Sequence, residues 1–154
     1  MLDIDKFEKK IDKKSRLLGI DPGKKRIGVA ISDENKIIAT PYTTIIKSNF
    51  SELLIQINII INENDIKGIV IGNPINLDGS SSQSSQSAKD FAINLSKNIT
   101  IPIAMWDERL SSRGAFNLSN DLNVNTSKKI SKLDENSAAF ILQGALDYLK
   151  RENT

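Results

Sequence analysis

Two apolar runs joined by a very short turn constrain the fold of this chain most. Residues 16–22 (RLLGIDP) are mostly apolar and predict a buried strand. Residues 26–32 (RIGVAIS) alternate larger apolar residues with small ones and predict a second strand. The turn PGKK between them predicts a hairpin, in which Gly23 is free to adopt a positive φ. The folded part of the chain therefore begins with two antiparallel strands.

The pattern after the hairpin predicts how the sheet is completed. A third strand is expected at residues 36–46, where Pro41 indicates an edge or a bulge. Helical and strand-like segments then alternate: a helix at 50–63, a strand at 67–72, a loop at 72–87, a helix to about 98, a strand at 99–106, a helix at 112–122, a polar basic loop at 123–132 and a helix at 134–150. This order predicts an α/β fold, with a mixed five-stranded sheet made of a three-strand antiparallel meander plus parallel strands, and helices on both faces.

The length of 154 residues and the lack of a linker predict one domain over residues 16–150. Residues 1–15 are expected to form an N-terminal appendage, and the helical spacing of Ile4, Phe7 and Ile11 is compatible with a short docked helix. No apolar stretch approaches the roughly 20 residues of a membrane span, and the N-terminus does not resemble a secretory signal. We therefore expect a cytoplasmic protein.

Two missing residue types narrow the possible chemistry. The sequence contains no Cys and no His, which excludes thiol nucleophiles, thiolate zinc sites and imidazole acid–base catalysis. An enzyme built from this sequence would rely on carboxylates, Lys, Arg, Ser, Thr or Tyr, and a hard cation held by carboxylates is then the natural cofactor. The net charge of +2 does not by itself indicate nucleic-acid binding, although the basic residues are bunched and local patches can bind phosphate.

Four acidic residues follow or flank predicted elements at one edge of the sheet. Asp21 ends the first strand, Asp107 and Glu108 follow the last strand, and Asp134 opens the last helix. Carboxylates brought together repel one another, and two Mg²⁺ or Mn²⁺ ions spaced about 3.5–4 Å apart would relieve this and activate water for attack on a phosphodiester. Other roles stay open, because Asp134 also suits a helix N-cap and Asp107 also suits a loop ion pair.

Polar and basic residues near the same edge are candidates for substrate binding. Asn73 and Asn76 follow another buried strand, although an ordinary strand-to-loop turn explains them equally well. The candidate phosphate-binding cations are Lys24, Lys25, Arg26 and Arg109.

Four segments together resemble one protein family over about residues 16–150. They are GIDPGKKRIGVAISD (19–33), IVIGNPINLDGS (69–80), WDERLSSRGA (106–115) and LDENSAAFILQGALDYL (133–149). In this order they resemble the motifs of the pre-16S rRNA nucleases, which are also described as Holliday-junction-resolvase-like proteins.

This resemblance implies a ribonuclease-H-like fold and a Mg²⁺- or Mn²⁺-dependent endonuclease that trims the 5′ end of precursor small-subunit rRNA. It implies that Asp21, Asp134 and one member of the pair Asp107–Glu108 hold metal, with Asp107 slightly favoured. Arg26 and Arg109 match the motif arginines of the family. Asn73 stands where family members commonly have an apolar residue, which puts the packing of this loop in question.

Other functions remain open at this point. A DNA-junction resolvase would use the same chemistry on another substrate. The protein is expected to be a monomer or a homodimer, and a two-fold dimer would favour the resolvase hypothesis, because junctions present paired strands. A nucleotide-binding ATPase using Asp21-Pro22-Gly23 is disfavoured, because such folds normally place the nucleotide between two domains. A non-catalytic protein that binds RNA or associates with transcription is the third alternative.

Overall fold

The computed structural model describes residues 2–74, 83–107 and 126–152, the last range as backbone alone over residues 126–135 and 151–152. Five strands form one sheet in the order β3-β2-β1-β4-β5. The strands are β1 (Arg16–Pro22), β2 (Arg26–Ser32), β3 (Ala39–Ile46), β4 (Ile66–Asn73) and β5 (Ile103–Asp107). The described helices are α1 (Ile4–Lys10), α2 (Phe50–Asn64), α3 (Gln83–Asn98) and α4 (Thr126–Glu152).

Strand β1 lies at the centre of the sheet. It pairs antiparallel with β2 and parallel with β4, while β3 and β5 form the two edges. Pro41 lies in edge strand β3, and the register shift that skips Tyr42 is a bulge beside it. The predicted sheet of a meander plus parallel strands is therefore confirmed, as is the expected position of Pro41.

The sheet separates two apolar cores, and each strand contributes alternate residues to them. On one face Leu18 and Ile20 of β1 pack with residues of α2 and α3. On the other face Leu17 packs with residues of α1 and α4. Alternation of side chains along a strand assigns Gly19 and Asp21 to the same face as Leu17.

Helix α4 lies directly on β1 at Gly19. A Cβ atom at Gly19 would lie 2.7 Å from Cβ of Leu142 and 3.0 Å from the carbonyl oxygen of Ala138. Glycine is therefore required here by the close approach of helix and strand.

Gly19→Ala is expected to lower the free energy of unfolding by about 1–3 kcal/mol, since the added methyl must displace helix backbone. Where the backbone angles suit alanine and there is room for its methyl group, Gly→Ala usually raises the free energy of unfolding, because alanine lowers the conformational entropy of the unfolded chain. Urea unfolding measures the difference, with Ser51→Ala at an exposed helix position as the control. An unchanged midpoint for Gly19→Ala would contradict this packing of α4 on β1.

Several element boundaries differ from the sequence predictions. Strand β3 begins at Ala39 and not at residue 36, because the Asp33 carboxylate accepts hydrogen bonds from the N–H groups of Ile37 and Ile38 and holds them in a turn. Strand β5 begins at Ile103 and not at residue 99. The segment before it bends, and Pro102 there has no N–H to donate to a ladder.

Two helices begin earlier than predicted. Helix α3 begins at Gln83, within the predicted loop 72–87, and Ser85 in its first turn is buried. Helix α4 begins at Thr126, within the predicted basic loop, and no Gly or Pro interrupts residues 126–134. Asp134 therefore lies inside this helix and does not open it, so its N-cap interpretation is wrong. The helix predicted at 112–122 lies outside the described residues.

Gly23 in the β1–β2 turn does not have a left-handed φ, contrary to the interpretation from sequence. A Cβ at Gly23 would overlap the carbonyl oxygen of Arg26, so glycine is needed in this turn for space and not for an unusual backbone angle.

In the part of the chain that the structure describes, no helix combines the length and apolar character needed to cross a membrane.

Candidate active site

Three adjacent strands carry polar residues at or next to their carboxyl ends, along one edge of the sheet. Asp21 lies near the end of β1, Asn73 ends β4 and Asp107 ends β5. Asn73 is in register with Asp107. Because neighbouring strands are about 4.8 Å apart, the backbones of Asp21 and Asp107 are separated by roughly 10 Å across the sheet. Both acidic residues therefore lie at one edge, as the topology predicts.

Asp21 has a glycine on each neighbouring strand. It pairs directly with Gly28 of β2. On the other side Ile20 pairs with Ile71 in parallel register, so the next residue of β4, Gly72, is level with Asp21. Residues in register share a face of the sheet, and glycines there let a backbone or a ligand approach closely. The carboxylate of Asp21 is half-buried in these surroundings.

Asp107 lies on the other face of the sheet. Ala104 and Trp106 of β5 pack in the same core as α4, so alternation assigns Asp107 to the opposite face, together with Ile103 and Met105. Two carboxylates at one edge can still converge beyond the strand ends, but Asp107 is not beside Asp21 on a common surface.

Helix α4 brings residue 134 toward the end of β1 that carries Asp21. Gly19 lies against Ala138 and Leu142, and Gln143 binds the backbone of Ala39 near the amino end of β1, so the helix runs antiparallel to this strand. Residue 134 is one helical turn, about 6 Å, before Ala138 on the same helical face. Asp21 is two residues, about 7 Å, beyond Gly19 in that direction.

The β1–β2 hairpin carries three exposed cations beside Asp21. Lys24, Lys25 and Arg26 are all exposed. The backbone N–H of Lys47, just after β3, donates to the carbonyl oxygen of Lys25 at 2.9 Å. Sequence reasoning missed Lys47, because it is a single cation just after the third strand and comes near the hairpin only through strand pairing.

Asn73 takes part in a contact that the sequence did not suggest. Its side-chain oxygen accepts a hydrogen bond from the hydroxyl of Ser85 at 2.7 Å, which joins the end of β4 to the first turn of α3. Ser85 is fully buried. This polar pair accounts for the packing of Asn73, and it engages the oxygen that a substrate donor would otherwise use.

The remaining predicted site residues lie wholly or partly outside the described structure. Glu108, Arg109 and Asn76 lie outside the described residues, and for Asp134 only the backbone is described. Among the side chains that are described, no three acidic residues form a group able to hold a metal ion.

The sheet order and the acidic edge define a domain of the ribonuclease-H-like class. The structure of RuvC from Thermus thermophilus in complex with a Holliday junction substrate aligns with a TM-score of 0.54, covering 86% of this chain and 94% of that chain at 10% identity. A second Thermus thermophilus RuvC structure aligns with a TM-score of 0.52 over 90% of this chain and 97% of that chain, also at 10% identity. At this identity the likeness establishes the fold alone.

Sequence comparison establishes the family. The family model described as RuvX, Holliday junction resolvase, matches residues 15–148, and the chain belongs to this family. A relative from Pelagibacter ubique, named "Putative pre-16S rRNA nuclease", is 54% identical over 97% of this chain and 99% of its own length. A relative of the same name from Novosphingobium aromaticivorans is 42% identical over 86% of this chain and 85% of its own length. The expected family membership is thereby confirmed.

Proposed function

We propose that this protein is a cytoplasmic, metal-dependent endonuclease that cuts precursor 16S rRNA near its 5′ end during ribosome biogenesis. The observation that carries the proposal is the position of Asp21 near the carboxyl end of the central strand, with glycines in register on both sides and three exposed cations in and beside the adjoining turn. The names of the relatives supply the substrate class.

The donor chemistry of this edge suits Mg²⁺ or Mn²⁺. Hard divalent cations prefer carboxylate oxygens, and without Cys or His the chain offers no softer ligand set. We propose Asp21, Asp134 and one member of the Asp107–Glu108 pair as the ligands. When bound, such ions stabilise developing negative charge and lower the pKa of water. The cations of the hairpin hold the phosphodiester backbone of the substrate beside Asp21.

The choice between Asp107 and Glu108 shifts toward Glu108. Asp107 belongs to the face opposite Asp21, which weakens its case as a ligand of the same ion. Parallel substitution of Asp107→Asn and Glu108→Gln tests this assignment. We expect the Glu108 variant to lose more metal-dependent cleavage. A larger loss in the Asp107 variant would favour Asp107 as the metal ligand.

A Holliday junction resolvase is the second candidate. The family description and the fold shared with RuvC favour it, because the chemistry would be the same on DNA. Selection of RNA would require a contact with the 2′-hydroxyl group.

Cleavage of matched labelled substrates distinguishes the two candidates. We expect the full chain with Mg²⁺ or Mn²⁺ to cut a precursor 16S rRNA 5′ segment faster than a four-way DNA junction, and EDTA to abolish cutting. Faster cutting of the junction would favour the resolvase. Binding of RNA without cutting under any metal condition would favour a non-catalytic RNA-binding protein.

A further inference from the structure

Four exposed cations meet at the carboxyl end of the meander, and one of them belongs to no motif. Lys24, Lys25 and Arg26 lie in and beside the β1–β2 turn, and Lys47 follows β3. Arg26 pairs with Ile46 in the β2–β3 ladder, and the backbone bond from Lys47 to Lys25 continues that pairing by one residue. Lys47 is therefore fixed beside the hairpin by the register of the sheet and not by its own side chain.

The position of Lys47 relative to Asp21 follows from the same register. Asp21 pairs with Gly28, and Gly28 pairs with Thr44, so Lys47 is two strands across and three residues beyond the level of Asp21. Alternation with Ile45 assigns Lys47 to the face opposite Asp21, so a strand that contacts both residues must pass around the ends of β2 and β3. With the usual strand spacings, the two Cα atoms are about 14 Å apart. This separation spans only a few phosphates of one nucleic-acid strand, so both residues can contact the same strand.

We infer that Lys47, together with Lys25 and Arg26, forms a phosphate-binding track that leads a nucleic-acid strand from Asp21 across the ends of β2 and β3. This inference rests on the proposed function, which supplies a strand whose reacting phosphate lies at Asp21. Its partner is a sugar–phosphate backbone of either kind, since lysine reads charge and not base sequence. Glu52, in the first turn of α2, is acidic and follows Lys47 by five residues in the chain.

Salt dependence of binding is the direct test of the track. Binding of a fluorescein-labelled RNA stem-loop to the full-length wild-type protein and to Lys47→Gln is measured in EDTA, so that no cleavage occurs, between about 50 and 200 mM salt. We expect Lys47→Gln to reduce the slope of log K against log salt by about 0.7–0.9, with a loss of roughly three- to tenfold in affinity at the lowest salt. The loss should be the same for RNAs of different sequence.

Lys97→Gln supplies a control of equal charge change. Lys97 is an exposed residue in the last turn of α3. The next residue, Asn98, lies near Lys67, which is at the amino-terminal end of β4 and therefore at the end of the sheet away from Asp21. We expect its slope and affinity to match those of the wild type. If Lys47→Gln and Lys97→Gln changed the salt slope and the affinity equally, the effect would come from net charge alone, and the proposed phosphate-binding track would be disproved.

A kinetic measurement separates this inference from the proposed function. In metal-dependent cleavage, Lys47→Gln should raise KM with kcat unchanged, because a distant phosphate contact binds ground state and transition state equally. If the wild-type protein cuts no substrate but Lys47→Gln still changes the salt slope in EDTA, the proposed nuclease function is disproved and the phosphate-binding track is supported. Normal cutting with an unchanged slope would disprove the track alone.

Discussion

Asp21→Asn is expected to lower the rate of metal-dependent cleavage by about 10²- to 10³-fold. In the proposed site the carboxylate of Asp21 holds a divalent cation, and removing its negative charge weakens that hold. The stabilisation of the transition state by such a cation amounts to several kcal/mol. The amide occupies nearly the same volume as the carboxylate, so the sheet around Gly28 should keep its structure. Single-turnover cleavage of the precursor rRNA segment at a fixed Mn²⁺ concentration that does not saturate the variant measures the effect.

Asp65→Asn is the matched control for this substitution. Asp65 caps the C-terminal end of α2 with a left-handed φ of 52°, which asparagine adopts readily, and its side chain is 82% exposed. It lies just before β4, at the amino-terminal end of that strand, whereas Asp21 lies near the carboxyl end of the parallel strand β1. We expect cleavage by this variant to equal that of the wild type. Cleavage by Asp21→Asn within threefold of the control would remove Asp21 from the active site.

Phe7→Ala is expected to lower the free energy of unfolding by about 3–5 kcal/mol, the usual cost of removing a fully buried aromatic side chain. Phe7 is 0% exposed although it lies in the N-terminal segment. A Cβ at Gly68 of β4 would lie 2.8 Å from Cζ of Phe7, so the ring packs directly on the sheet. Urea unfolding monitored by circular dichroism gives the difference, provided that the m-value is unchanged.

Ile55→Ala is the control for this loss of apolar volume. Ile55 lies in α2 with its side chain 60% exposed, so its truncation should change stability by no more than about 0.5 kcal/mol. If Phe7→Ala were as stable as Ile55→Ala, residues 1–15 would be a loosely attached appendage. The expected loss would instead make α1 part of the nuclease domain.

The sequence by itself determined the elements that have local causes. The strands at residues 16–22 and 26–32 were predicted to the residue, because their apolar runs and the short turn between them depend only on neighbours in the chain. The position of Asp21 at the end of a buried strand and the edge position of Pro41 followed in the same way. Where local signals were weak, as in the serine-rich start of α3 and the lysine-rich start of α4, the predicted boundaries were wrong.

Only the tertiary structure decided which distant residues meet. It assigned Asp21 and Asp107 to opposite faces, paired Asn73 with Ser85, and brought Lys47 beside Lys25. The physical reason is that strand register and helix docking depend on contacts between residues far apart in sequence, and a shift of one residue moves every side chain of a strand to the other face. The local sequence therefore predicts which acidic residues end the strands, whereas the fold fixes the face of the sheet on which each of them lies.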